Sequence, residues 1–140
     1  MSEIMDRYDA AMLLHETGNT DEAIVQLEAI LGDDPDFLLA HNSLAVFYQR
    51  GGDTERAIIH ASRVCDLDPG DAFSYTGLSI AAIAAGQTAT AEEAKARAEE
   101  IQWAEIRRRF EEENTARKIA DEAAAYGASG EETSNDEGNT

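Results

Sequence analysis

The sequence predicts an all-α chain built from repeated helix pairs, and three observations lead there. Glycine recurs at 18, 52 and 86, alanine at 23, 57 and 91, and proline at 35 and 69, each series stepping by 34 residues. Hydrophobic residues make up 43% of the chain while aromatics make up only 6%, because much of the apolar share is alanine, the best helix former. Two prolines in 140 residues leave long stretches with nothing to stop a helix. A period of this length marks units that bury their apolar faces only against neighbouring units.

Each element follows from local signals. In the first repeat, about 4–37, Gly18 makes the turn and Asn19 opens the second helix, with Glu22 three residues on as a capping box. In the second, 38–71, the first helix runs from about Phe37 to Arg50 and stops at Gly51-Gly52, because glycine accepts the positive φ of a helix C-terminus. Asp53 caps the next helix, which ends near Leu67 ahead of Pro69. The string Gly18-Asn19-Thr20-Asp21-Glu22-Ala23-Ile24 aligns with Gly52-Asp53-Thr54-Glu55-Arg56-Ala57-Ile58, and Gly86-Gln87-Thr88-Ala89-Thr90-Ala91 is a weaker third copy. In the third repeat, 72–103, Asp71 opens the first helix and Thr88 the second.

From Thr88 to Tyr126 there is neither Gly nor Pro. A bend or turn is expected near 101–104, setting off a C-terminal amphipathic helix over 104–126. Ile101, Trp103, Ile106 and Phe110 give this stretch an apolar face, continued more weakly by Ile119, Ala123 and Tyr126. Arg107, Arg108 and Arg109 each precede a glutamate by four residues, which reads as three ion pairs within one exposed helix. Residues 127–140 are polar and acidic and are expected to form a disordered tail.

The repeat resembles the tetratricopeptide-repeat (TPR) family over residues 4 to about 103. The resemblance rests on small residues at matched places in the first helix of each pair (Ala11, Ala45, Ser79) and in the second (Ala23, Ala57, Ala91), with Pro35 and Pro69 closing two units. Residues 38–71 match best, while Lys95 replaces an apolar residue in the third unit. The resemblance implies three TPR helix-turn-helix repeats in a short right-handed solenoid, capped by the charged C-terminal helix. It also implies a concave groove lined by first helices. Those positions are Met5, Tyr8, Met12 and His15, then Leu39, Asn42, Val46 and Gln49, then Phe73, Thr76, Ile80 and Ile83; eight of the twelve are apolar or aromatic. The expected peptide-binding residues are Met5, Tyr8, Met12, Leu39, Asn42, Val46, Phe73, Thr76, Ile80 and Ile83, with Asn42 as polar anchor. Chaperone-binding TPR domains clamp a terminal carboxylate with Lys, Arg and Asn. The matching places here are Tyr8, Met12, Ser43, Phe73 and Gly77, so that clamp is not expected.

Charge narrows the partners. Twenty-nine acidic residues oppose eleven basic ones, a net charge of −18, which repels nucleic acid and anionic membranes. No apolar run or leader-like start is found, and the single cysteine, Cys65, fits a reducing compartment, so a cytoplasmic protein is expected. His15, His41 and His60 share no ligand spacing, Cys65 has no activating neighbour, and the glycines serve turns rather than a phosphate loop. The sequence therefore predicts no enzyme, metal or cofactor. It predicts an adaptor or scaffold whose groove takes an apolar or amphipathic segment of a protein partner. The alternative is self-association through the groove or the C-terminal helix, which would make a homo-oligomer with no separate ligand.

Overall fold

A computed structural model describes the backbone of residues 2–138 and the side chains of residues 2–127. Six helices follow in order among these residues: α1 (Glu3–Glu16), α2 (Thr20–Asp33), α3 (Leu38–Arg50), α4 (Thr54–Leu67), α5 (Ala72–Ala84) and α6 (Thr88–Gly138). The chain divides into two compact units, Met1–Ile101 and Gln102–Thr140.

The period fixes the turns of the first unit. Gly18, Gly52 and Gly86 have φ of 91°, 87° and 73°, and no other described residue has a positive φ. Each places the following amide on the carbonyl five residues back: Asn19 to Leu14 at 2.8 Å, Asp53 to Tyr48 at 2.9 Å and Gln87 to Ala82 at 2.9 Å. This closure satisfies carbonyls that the helix end would leave bare. Asp53 accepts from the Arg56 amide and Asp71 from the Phe73 amide, so both act as the caps their positions predict. Asn19 does not. Its side chain makes no cap bond, and its amide nitrogen instead donates to Thr17 Oγ1 at 3.4 Å.

Small residues let the paired helices touch. Ala11, Ala23, Ala45, Ala57, Ser79 and Ala91 are all buried. In the third pair the serine adds a bond of its own, as Ser79 Oγ donates to the Ala91 carbonyl across α5 and α6 at 2.9 Å. Leu27, Ile30 and Leu44 fill the space between the first two pairs and are the largest side chains with no exposure.

A polar chain crosses this core. His41 Nε2 lies 2.7 Å from the Pro35 carbonyl, so it carries the proton and donates. His41 Nδ1 is then the acceptor for His60 Nδ1–H at 3.0 Å. The far nitrogen of His60 lies 3.3 Å from Glu28 Oε1 and donates to it only when the ring is charged, while the Tyr48 hydroxyl donates to the same carboxylate at 2.7 Å. The Tyr48 ring stacks on His60, and Arg56 lies over Tyr48. Burial and the Glu28 contact push the Tyr48 phenol up to about 12. Burial holds His60 below its ordinary 6.5, against the upward pull of Glu28. Helices α2, α3 and α4 are joined by groups 19 and 20 residues apart in sequence.

Residues 101–104, where a bend is predicted, are helical, and so is every residue from Thr88 to Gly138. No Gly or Pro interrupts the stretch before Gly127. The disordered tail predicted for 127–140 falls, from 128 onward, outside the described side chains, and 139–140 lie outside the description altogether. The arginine run pairs differently from the prediction. Arg108 meets Glu112 at 2.7 Å as predicted, Arg109 turns back to Glu105 at 2.9 Å, and Arg107 is in no ion pair among the described residues.

Two glycines test the backbone argument with opposite signs. Gly52→Ala forces a side chain into positive φ and should lower stability by about 1 kcal/mol. Gly32→Ala, inside α2 with nothing within 4 Å of the added carbon, should raise it by about 0.5–1 kcal/mol. Urea unfolding monitored by circular dichroism measures both.

The histidine chain gives a pH dependence. His60 titrates below its unfolded value, so its contribution is complete above pH 6.5 and is lost as pH falls from 6.5 toward the lower folded value. Glu28→Gln removes the pull that raises His60, so the unfolding free energy measured in urea should fall more steeply from pH 7 to pH 5, by at most about 1.4 kcal/mol per pH unit. A shallower slope in Glu28→Gln would contradict the assignment.

Candidate functional site

Helices α3 and α5 present one open cleft. Asn42, Val46 and Gln49 of α3 face Phe73, Gly77 and Ile80 of α5 across a cavity of about 270 Å³, with Arg50 also on its lining. Buried Ala45, Ala61, Val64, Ser74 and Ala81 form its floor. A smaller hollow of about 110 Å³ shares Asn42 and Phe73 and extends the cleft to Leu39, Asp68 and Asp71.

The local sequence explains what points into this space. Asp71 caps α5 two residues before Phe73, so the ring sits on the first turn with no preceding turn to cover it, and it is 82% exposed. Val46 and Ile80 are 40% and 50% exposed. Gly77 stands mid-helix and contributes no side chain, which widens the cleft; a carbon added there meets nothing within 4 Å.

Five of the ten predicted groove residues therefore come together: Leu39, Asn42, Val46, Phe73 and Ile80. The other five stand elsewhere. Met5, Tyr8 and Met12 are half-buried on α1, and Tyr8 and Met12 reach toward α3. The Tyr8 hydroxyl is 3.3 Å from Ser43 Oγ, its ring meets Phe37 edge-on at 5.8 Å, and Ser43 Oγ approaches Met12 sulfur at 3.7 Å. Thr76 is exposed and bonds the Ala72 carbonyl. Ile83 lines a separate depression of about 360 Å³ with Ser79, Thr88, Ala91, Glu92 and Lys95. Sequence reasoning from first helices alone missed Gly77 and the floor residues of α4. The signal for Gly77 is a glycine inside an otherwise uninterrupted helix, where it costs about 1 kcal/mol relative to alanine.

The polar groups have structural partners. His15 Nδ1 is 3.0 Å from Thr20 Oγ1, and its ring lies 4.4 Å from that of Phe47. Cys65 is buried and donates to the Ser74 carbonyl, and burial pushes its thiol up to about 11, far from a thiolate nucleophile. Among the described residues no group of three or more His, Cys, Asp or Glu is placed to hold a metal. Nor is any helix long and apolar enough to cross a membrane.

No family model matches the chain, and no curated protein does. Solved structures do. The crystal structure of MamA superposes with a TM-score of 0.68 at 17% identity, covering 74% of this chain and 61% of that one. The Yersinia enterocolitica type III secretion translocator chaperone SycD, in an alternative dimer, gives 0.63 at 18% identity, covering 78% of this chain and 87% of that one. A mutant O-GlcNAc transferase of Thermobaculum terrenum gives 0.59 at 21%, covering 72% of this chain and 20% of that one. The chain thus spans about three fifths of the length of the MamA structure it matches. At these identities the likeness is one of fold, and the fold of this chain is the TPR-type helical repeat.

Proposed function

We propose that the cleft between α3 and α5 captures an apolar or amphipathic segment of another protein, making the chain an adaptor or scaffold rather than an enzyme. The observation that carries this reading is the set of apolar side chains left exposed around one open cleft, Leu39, Val46, Phe73 and Ile80, with Asn42 between them as a hydrogen-bonding group. Such a wall suits the anchors of an amphipathic helix or an extended peptide. The TPR-type fold of the neighbouring structures supports a protein-interaction role in general terms.

Charge defines the segment further. Residues 1–101 hold six basic and nineteen acidic residues, a net −13, and Asp68 and Asp71 border the hollow beside Leu39. The fitting segment therefore has apolar anchors flanked by Lys or Arg, with association that slows as salt rises.

Panning a random peptide library on the immobilised protein should enrich such sequences. Leu39→Glu with Phe73→Glu should weaken the selected peptides by roughly 30-fold or more, the cost of losing a buried aromatic anchor, while helicity stays constant. Gly77→Leu is the sharper variant. It should block the same peptides and also stabilise the fold by about 0.5–1 kcal/mol, since the helix gains a side chain with room around it. Titration calorimetry and urea unfolding read the two effects, and unchanged peptide affinity in both variants would sink the cleft assignment.

A further inference from the structure

The second unit has a charge pattern unlike the first. Residues 102–127 hold five of the eleven basic residues against six acidic ones, a net −1 in a chain of −18. Such a stretch meets a copy of itself without the repulsion that the rest of the chain would impose. All its side chains are exposed. Trp103, Ile106 and Phe110 share one stripe of α6, and all three are more than half exposed. Ile119 does not extend that stripe, lying about 160° further round the helix than Trp103.

Around Phe110 the sequence changes sign, from Arg107-Arg108-Arg109 before it to Glu111-Glu112-Glu113 after it. The stripe itself is symmetric about the same residue: Trp103, Ile106, Phe110, Asn114 and Arg117 are spaced by three, four, four and three. We propose that α6 pairs with α6 of a second copy, antiparallel, about a two-fold axis at Phe110. This proposal is independent of the cleft reading.

The charges fix the orientation. With the stripe facing the second copy, Arg107 and Glu111 flank one side of it, and Arg109 and Glu113 the other. In the antiparallel pair Arg107 of one copy runs beside Glu111 of the other, and Arg109 beside Glu113. Trp103 lies opposite Arg117, a cation over an indole face. A parallel pair would instead set the arginine runs side by side. The ion pairs within the helix agree with this division. Arg108 and Glu112, which point away from the stripe, already hold each other at 2.7 Å. Arg107, Glu111 and Glu113, which flank it, are in no ion pair among the described residues, and Arg109 has only Glu105. The stripe from Trp103 to Arg117 then packs against its own copy about the two-fold axis.

Sedimentation equilibrium on the full chain tests this. The wild type should show a concentration-dependent monomer–dimer equilibrium. The double variants Arg107→Glu with Arg109→Glu, and Glu111→Arg with Glu113→Arg, should each dimerise at least tenfold more weakly with helicity unchanged. An equimolar mixture of the two should recover a dimer. Arg117→Cys reads the orientation: residue 117 lies on the stripe, about 21 Å from its own copy in the antiparallel pair and beside it in a parallel one, so it should not form a disulfide under mild oxidation. Cys65 is buried and stays out of that reaction. A wild type that remains monomeric at millimolar concentration, charge variants that dimerise as the wild type does, or an efficient Arg117→Cys cross-link would each overturn the proposal.

Discussion

The closeness of the two helices in each pair depends on the smallest side chains in the chain. Ala11 and Ala23, Ala45 and Ala57, and Ser79 and Ala91 are all buried between their helices. A larger residue at any of them separates its pair and strains a core that tolerates little added volume. Because each pair is thin, the next pair can be reached by side chains of ordinary length. Leu27, Ile30 and Leu44 close the gap between the first two pairs, the Tyr48–Glu28 hydrogen bond crosses it, and the His41–His60 bond ties α3 to α4. No polar side-chain atom buried among the described residues lacks a partner, so this chain ties the pairs together without leaving an unsatisfied group.

The same stacking produces the cleft. Where α1 faces α3, Tyr8 and Met12 both reach Ser43. Where α3 meets α5, Gly77 and Ser74 stand in place of bulk, and the wall of Val46, Phe73 and Ile80 stays uncovered. One architectural position thus packs in one repeat junction and opens in the next.

This also decides how much was legible in advance. The 34-residue period fixes the helix pairs, the three positive-φ glycines and the caps at Asp53 and Asp71, because each depends on neighbours within a few residues. Half of the groove prediction assembles for the same reason: the period places Leu39, Asn42, Val46, Phe73 and Ile80 on first helices of adjacent pairs. The rest depends on contacts across the fold. Met5, Tyr8 and Met12 satisfy the same periodic rule, yet Ser43 and Phe37 claim two of them. His41 and His60 show no ligand spacing in sequence, but stacking brings their rings to a 3.0 Å hydrogen bond. Asn19 has a capping partner in sequence and does not use it, its side-chain amide donating to Thr17 instead. Local chemistry reads well from sequence, whereas competition between partners does not.

Charge follows the division into units. The packed repeats carry most of the excess, −13 of −18 over residues 1–101, and among the described residues their salt bridges are few: Arg7 with Asp33 and Arg63 with Asp36 reach across the fold, while Arg56 and Arg97 pair locally. Exposed pairs of this kind contribute little to stability, so the excess acts at a distance instead, favouring cationic partners and discouraging contact between two copies of the repeat unit. Residues 102–127 reverse both conditions, with arginines and glutamates balanced within two turns of helix. On the two proposals above, the acidic repeat unit takes foreign, basic segments and the balanced stretch of α6 takes a second copy. The two therefore need not compete for the same partner.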